Sequence, residues 1–251
     1  MAEQVVTAPS HERQLTQGLL YRQLGEGFAY PTAERLLAWQ SGLAIESLAK
    51  VIHTLDSPDL QIAFGHLKQS LDAGQVDATA AMNSRPTLEE EYTYLFQRQA
   101  IASPYEGSYL VQSFFMQPQM LADVGAFYSA FGLQVTGDLQ DHLGAELEFT
   151  AVLCFKEVYA HEQVWIEQAA TCRQARRRFL GEHLGRWLPV FAARVRDNAR
   201  LSFYAALTEL TAALVALDCE ALGVVPDQTG VFIPEPAQTA QVEQDDGMCT
   251  A

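Results

Sequence analysis

The chain has 251 residues, 49% hydrophobic and 19% charged, which is length enough for a sizeable core and the composition of a globular protein, so disordered, fibrous and small disulfide-stapled classes are excluded. Its 31 acidic against 16 basic residues give a net charge of −15, which repels phosphate backbones and anionic lipid and attracts cationic segments, so a nucleic-acid partner is not expected. The four cysteines, Cys154, Cys172, Cys219 and Cys249, form no C-x-x-C pair and read as reduced thiols; with no basic and apolar leader and no apolar run long enough to span a bilayer, the expectation is a cytoplasmic protein without stable membrane insertion.

Taken in chain order, residues 1–11 carry no pattern and are expected to be flexible. Leu15, Leu19 and Phe28 then begin a helical spacing. Ser57-Pro58 opens an amphipathic helix through Leu60, Phe64, Leu67 and Leu71. Thr87 with Glu90 forms a capping box ahead of Tyr92, Leu95 and Phe96, and that helix is predicted to reach about Arg98. Pro118 and Gly132 bracket a stripe of Leu121, Val124, Tyr128 and Phe131. A long helical pattern is predicted from Asp141 to about Gln168, and another from Ser202 to Leu222 before Gly223.

No strand ladder is evident. The expectation is therefore an all-α protein, a single helical bundle of about nine to twelve helices in residues 12–225. Either of two turn-rich breaks, Gly74 to Pro86 or Ser103-Pro104, could separate an N-terminal helical layer from the main bundle, and one folded unit with two lobes is the expectation. Residues 226–251 hold prolines and the acidic run Glu243-Gln244-Asp245-Asp246, and read as a mobile acidic tail. Eight arginines between Thr171 and Arg200 face only Glu182 and Asp197; Arg176-Arg177-Arg178 reads as a solvated helix face paired with acids elsewhere.

Several chemistries lack their residues. None of the three lysines follows a glycine as a phosphate loop requires, and neither G-x-G-x-x-G nor G-x-S-x-G occurs. Glu-x-x-His, needed twice for a di-iron carboxylate centre in a bundle, is absent, and no cofactor is expected. Two i, i+4 pairs remain. Glu157 with His161 reads as a hydrogen-bonded pair orienting a helix. His142 with Glu146 follows Asp141, which reads as an N-cap beside a half-buried histidine; from another class of function, Asp141, His142 and Glu146 could serve an all-α enzyme as an acid/base group.

The richest pattern is four aromatic blocks, three of which also carry carboxylates: E-Y-x-x-L-F at 91–96, P-Y-E-x-S-Y at 104–109, F-Y-x-x-F-G-L at 127–133, which has none, and D-H-L-x-x-E-L-E-F at 141–149. Aromatics supply desolvated area and rim carboxylates select cationic ends, as a groove for an apolar, positively charged segment requires; Phe127, Phe131 and Phe149 are expected to be mostly core.

These blocks, in this order and spacing, resemble the TorD/DmsD/NarJ family of redox-enzyme maturation chaperones. The resemblance continues in F-L-x-x-H-L-x-x-W-L-P-x-F at 179–191 and in Phe203-Tyr204-x-x-Leu207-x-x-Leu210, and spans roughly residues 12–223. It implies a cytoplasmic, non-catalytic helical protein, monomer or domain-swapped dimer. Its partners would be the twin-arginine signal peptide and the catalytic subunit of a molybdopterin-containing oxidoreductase, held until the cofactor is inserted. It also implies peptide-groove or groove-supporting roles for Leu95, Phe96, Tyr105, Glu106, Tyr109, Asp141, His142, Glu146 and Glu148. A chaperone of a non-exported, nitrate-reductase-like subunit would belong to the same family. Gln97-Arg98-Gln99-Ala100 stands where many relatives carry Gly-Pro, and the acidic tail lies outside the shared pattern.

Overall fold

The structure, a computed structural model, describes residues 11–72, 86–98, 101–110 and 114–232. Among these residues run eleven α-helices and no strand, which is the all-α class read from the sequence. Helix α1 (His11–Gly27) lies along α8 (Leu143–Glu162), which packs in turn on α9 (Ile166–Phe179). Helix α11 (Ser202–Leu222) is flanked by α4 (Pro58–Asp72) and α10 (Gly185–Asn198), while α3 (Leu43–Leu55) joins α1 to α4 and supports α2 (Ala33–Gln40). The shorter α5 (Leu88–Tyr92) and α6 (Gly107–Leu110), with α7 (Gln117–Ala130), close one end, α6 touching both α7 and α10.

Local chemistry sets most of these boundaries. Both bonds of the capping box at Thr87 are made: the Glu90 amide donates to Thr87 Oγ1 at 3.2 Å and the Thr87 amide to Glu90 Oε2 at 2.9 Å. Beyond Tyr92 the chain continues as a π-helical stretch, Thr93–Arg98, which turns Leu95 and Phe96 into the core. Phe96 sits there among Phe28, Tyr92, Phe191 and Tyr204, with ring centroids 5.1–6.4 Å away. Gly132 and Gly223 follow α7 and α11 with positive φ of 73° and 62°.

The structure corrects four sequence readings. On α1 the apolar Leu15 and Leu19 are 44% and 39% exposed, and the buried face carries Gln14, Gln17, Tyr21 and Leu24 instead. That face also presents Gly18 and Gly25 to α8; an added Cβ would stand 2.6 Å from the Phe155 ring and 3.2 Å from the Gly144 carbonyl, so both glycines permit close helix approach. The second correction concerns Arg176. Arg177 and Arg178 are exposed, but Arg176 is 1% exposed and enclosed by Glu157 at 3.2 Å and Asp218 at 3.7 Å. Gln14 donates to Glu157 Oε1 at 2.6 Å and Tyr21 to Asp218 Oδ2 at 3.1 Å, which explains the polar buried face of α1: each donor serves one oxygen of a buried carboxylate.

Third, Glu157 is consequently not paired with His161, whose ring stacks on His11 at 5.0 Å. Fourth, α8 stops at Glu162 rather than near Gln168, because Val164 takes a left-handed φ of 61° and α9 starts afresh at Ile166. Cys154, Cys172 and Cys219 are buried free thiols.

The chain after α11 runs back over α10. Arg186 donates to the carbonyls of Asp227 and Thr229 at 2.8 and 2.9 Å, and the Phe232 amide donates to the Tyr109 carbonyl at 3.0 Å. The expected flexible N-terminus up to residue 10, most of the Gly74 to Pro86 break, the acidic run and Cys249 lie outside the described residues.

Candidate functional site

Two chain segments remote in sequence are tied where α6 and α8 begin. Residues 104–106 lie antiparallel to 141–143: Tyr105 and His142 form an isolated bridge, the Glu106 amide donates to the Asp141 carbonyl at 3.0 Å, and the Leu143 amide to the Pro104 carbonyl at 2.8 Å. This clip gathers most of the acidic residues that the sequence singles out. His142, rather than Asp141, is the N-cap of α8, its Nδ1 accepting from the Gly144 amide at 3.0 Å. Asp141, fully buried, caps a different helix: its Oδ2 accepts from the Gly107 amide, the first of α6, at 3.0 Å. Burial raises the Asp141 carboxyl above the usual range against the pull of that amide, and burial lowers the His142 imidazole.

Beneath the clip lies a buried chain of polar groups. Trp187 Nε1 donates to Glu146 Oε2 at 3.1 Å, Glu146 faces Glu106, and Glu106 holds His183 Nδ1 at 3.0 and 3.2 Å through its two carboxylate oxygens. Glu106, Glu146 and His183 are 1%, 0% and 3% exposed. Desolvation, then the charge of Glu106, pushes the Glu146 carboxyl well above the carboxylate range, so Glu146 keeps its proton. His183 stands in a π-helical turn, Leu180–Leu184, between α9 and α10, its ring edge-on to Phe127 at 5.2 Å.

This chain of groups surfaces in a groove of about 560 Å³ between α7 and the π-turn, lined among others by Glu106, Met116, Met120, Asp123, Glu182 and His183. Phe115, 92% exposed, and Met116, 59% exposed, stand just before α7. Depressions of about 610 and 850 Å³ elsewhere are lined by exposed pairs such as His66 with Glu209, or by arginines of α9 with Glu220, and contain no buried carboxylate. We take the acid-lined groove as the site.

The sequence-derived residues divide three ways. Glu106, Asp141 and Glu146 meet in the acid cluster, with Tyr109 beside it, stacked on Trp187 at 5.3 Å. Tyr105 and His142 are side by side at 5.1 Å, facing Asp138, to which the Tyr105 hydroxyl donates at 2.9 Å. Leu95 and Phe96 belong to the aromatic core, and Glu148 is exposed on α8. An acid/base grouping of Asp141, His142 and Glu146 is not assembled: His142 caps its own helix and faces Asp138, whereas Glu146 bonds Trp187. His183, Trp187, Asp123 and Met120 were missed. The H-L-x-x-W spacing of His183 and Trp187 placed both on one helical face and was the available signal.

Fold and site together define an all-helical protein with an acid–imidazole cluster under an open groove; among the described residues no group of three or more His, Cys, Asp or Glu could hold a metal ion, and no helix is long and apolar enough to cross a membrane. Residues 55–193 match the nitrate reductase delta subunit family, and the chain belongs to it, in agreement with its TorD- and NarJ-like motifs. The chain is similar to the perchlorate reductase assembly chaperone protein of Dechloromonas aromatica, 35% identical over 112 residues, 43% of this chain and 48% of that one. It is likewise similar to the selenate reductase assembly chaperone protein of Thauera selenatis, 36% identical over 135 residues, 51% and 68% of the two chains. Against the chaperone protein TorD of Shewanella loihica it is 34% identical over 131 residues, 49% and 55% of the two. The matches thus span about half the length of the first and third of these relatives.

Proposed function

We propose that this chain is a cytoplasmic assembly chaperone that binds the twin-arginine signal peptide of a molybdopterin-containing oxidoreductase and holds it for cofactor insertion before export. The observation that carries the reading is the groove, in which the exposed Asp123 carboxylate stands beside Met116 and Met120, over the buried pair of Glu106 and His183. Carboxylates select guanidinium groups, and flexible thioethers conform to an apolar stretch of varied sequence. Family membership and the names of its relatives support the same class of work. Tyr105, Tyr109, Asp141, His142, Glu146 and Glu148 enter as groove or groove-supporting groups, and Leu95 and Phe96 as the core on which the groove end rests.

Release to an export machinery requires modest affinity, on the order of micromolar, about −8 kcal/mol. Calorimetry with a leader peptide carrying two adjacent arginines and with its Gln-Gln version tests the proposal: tight binding of the first and weak binding of the second is expected. Equal binding, or none, overturns it. The family's description as a nitrate reductase delta subunit favours a second reading, a chaperone of a non-exported catalytic subunit. Co-purification from native cells with a subunit lacking any leader would establish that one instead.

A further inference from the structure

His183 and Glu106 of the acid cluster both line the groove, and the Glu106 carboxylate is committed to the histidine. The His183 Nδ1 is committed to the Glu106 carboxylate, so that nitrogen carries hydrogen; Nε2, buried, has no hydrogen-bond partner among the described residues and lies 3.7 Å from Asp123 Oδ2, beyond bonding distance. An imidazole so oriented presents a lone pair to the groove when neutral and an N–H when protonated. The ring cannot turn away. Phe127 and Phe179 flank it at 5.2 Å, and Glu106 holds its other edge with both oxygens.

The surrounding charges are accounted for on every side. Glu106 from α6 is paired to Nδ1, and Glu146 from α8 lies behind Glu106. Arg178 of α9 is taken by Glu182 through two bonds at 3.0 and 2.8 Å, and Arg186 of α10 by the carbonyls of Asp227 and Thr229. Asp123 of α7, 68% exposed, is the carboxylate left beside Nε2. A lone pair and a carboxylate oxygen held 3.7 Å apart can each receive one N–H of a single planar guanidinium, which offers paired donors in a fixed fork; an ammonium has no such fork.

We infer that His183 is the specificity-determining acceptor of the groove: its Nε2 lone pair and the Asp123 carboxylate together receive an arginine guanidinium of the bound segment. This assignment rests on the peptide-binding reading above and adds to it a choice of arginine over lysine.

The test is calorimetry of the full chain with the arginine-pair leader peptide and with a Lys-Lys version of it. The Lys-Lys peptide should bind at least several-fold more weakly than Arg-Arg. His183→Leu, which removes the acceptor nitrogen, should weaken Arg-Arg binding and narrow the gap to Lys-Lys. Asp123→Asn, at an exposed position whose change leaves the melt intact, should weaken Arg-Arg binding and narrow the gap to Lys-Lys, so the assignment stays testable even if the histidine variant fails to fold.

An Arg-to-Lys preference unchanged in His183→Leu would overturn the assignment, as would one unchanged in Asp123→Asn. A wild type that binds neither leader, or binds the Gln-Gln leader equally, removes the peptide-binding reading itself. A wild type that binds Arg-Arg over Gln-Gln while either variant behaves like it removes only this assignment.

Discussion

Glu146 offers the sharpest test of how the acid cluster is charged. Its carboxyl is fully buried, accepts from Trp187 Nε1 at 3.1 Å and faces the Glu106 carboxylate, so it is held in its acid form. The sign follows from the raised value. The folded state holds the proton more tightly than the unfolded chain, so this group's contribution is fully present below the unfolded carboxyl pKa, near 4.5, and is lost as pH rises through the folded one. Over that window the loss amounts to about 1.4 kcal/mol per pH unit. Glutamine is an isostere of the acid form: its amide N–H₂ donates to Glu106 and its carbonyl accepts from Trp187, with no proton to lose. Glu146→Gln should therefore match wild type in mild acid, equal or exceed it at neutral pH, and show a flatter dependence of stability on pH. Glu146→Ala deletes both bonds, orphans the Trp187 N–H and leaves a hole, for a cost of about 2–5 kcal/mol. Denaturant melts across a pH series measure all three proteins. A Glu146→Gln protein that loses more than about 2 kcal/mol at neutral pH, while wild type does not weaken as pH rises, would mean that the native carboxyl is charged and the proton assignment is wrong.

The other expectations concern the frame around the cluster. Arg176→Ala leaves the Glu157 and Asp218 carboxylates buried without their cation and should cost about 3–5 kcal/mol, against less than about 0.5 for exposed Arg177→Ala, in the same denaturant melts. Asp141→Asn keeps an oxygen for the Gly107 amide and should stay within about 1 kcal/mol of wild type, whereas Asp141→Ala strips the cap from α6 and should cost about 1–2. Ending the chain before Pro226 removes the Arg186 and Phe232 contacts and should lower Tm by several degrees relative to ending it after Phe232; equal melts would show that residues 226–232 add nothing to the bundle.

Helices whose signals are local were legible in the sequence. The capping box, the Pro118 and Gly132 brackets and the regular leucines of α4 and α11 each act within one or two turns, so spacing alone locates them. The fold class followed from the same signals. What escaped depends on partners far along the chain. Leu15 and Leu19 look like a core stripe, but α1 buries glutamine and tyrosine because carboxylates on α8 and α11 await their hydrogens. Arg176 sits in an exposed-looking triplet because only the folded chain brings Glu157 and Asp218 to it. Glu106, Asp141 and Glu146 were found as residue types in a recurring pattern, yet their arrangement needed the clip between 104–106 and 141–143. His183 was passed over because its partner Glu106 lies 77 residues away in the chain, so its spacing to Trp187 alone did not mark it as part of the acid cluster.

The seam through Gly18 and Gly25 also sets an order of events during synthesis. The first described helix ends at Gly27, and its principal partner is complete only at Glu162. At about 5–20 residues per second, on the order of ten to thirty seconds pass before the second half of that seam has been made. Until then Leu20, Tyr21 and Leu24 are bare, and the nascent chain carries an uncovered apolar stripe. Slowing translation between α4 and α8 should lengthen that interval and raise the yield of aggregate, without altering the finished protein.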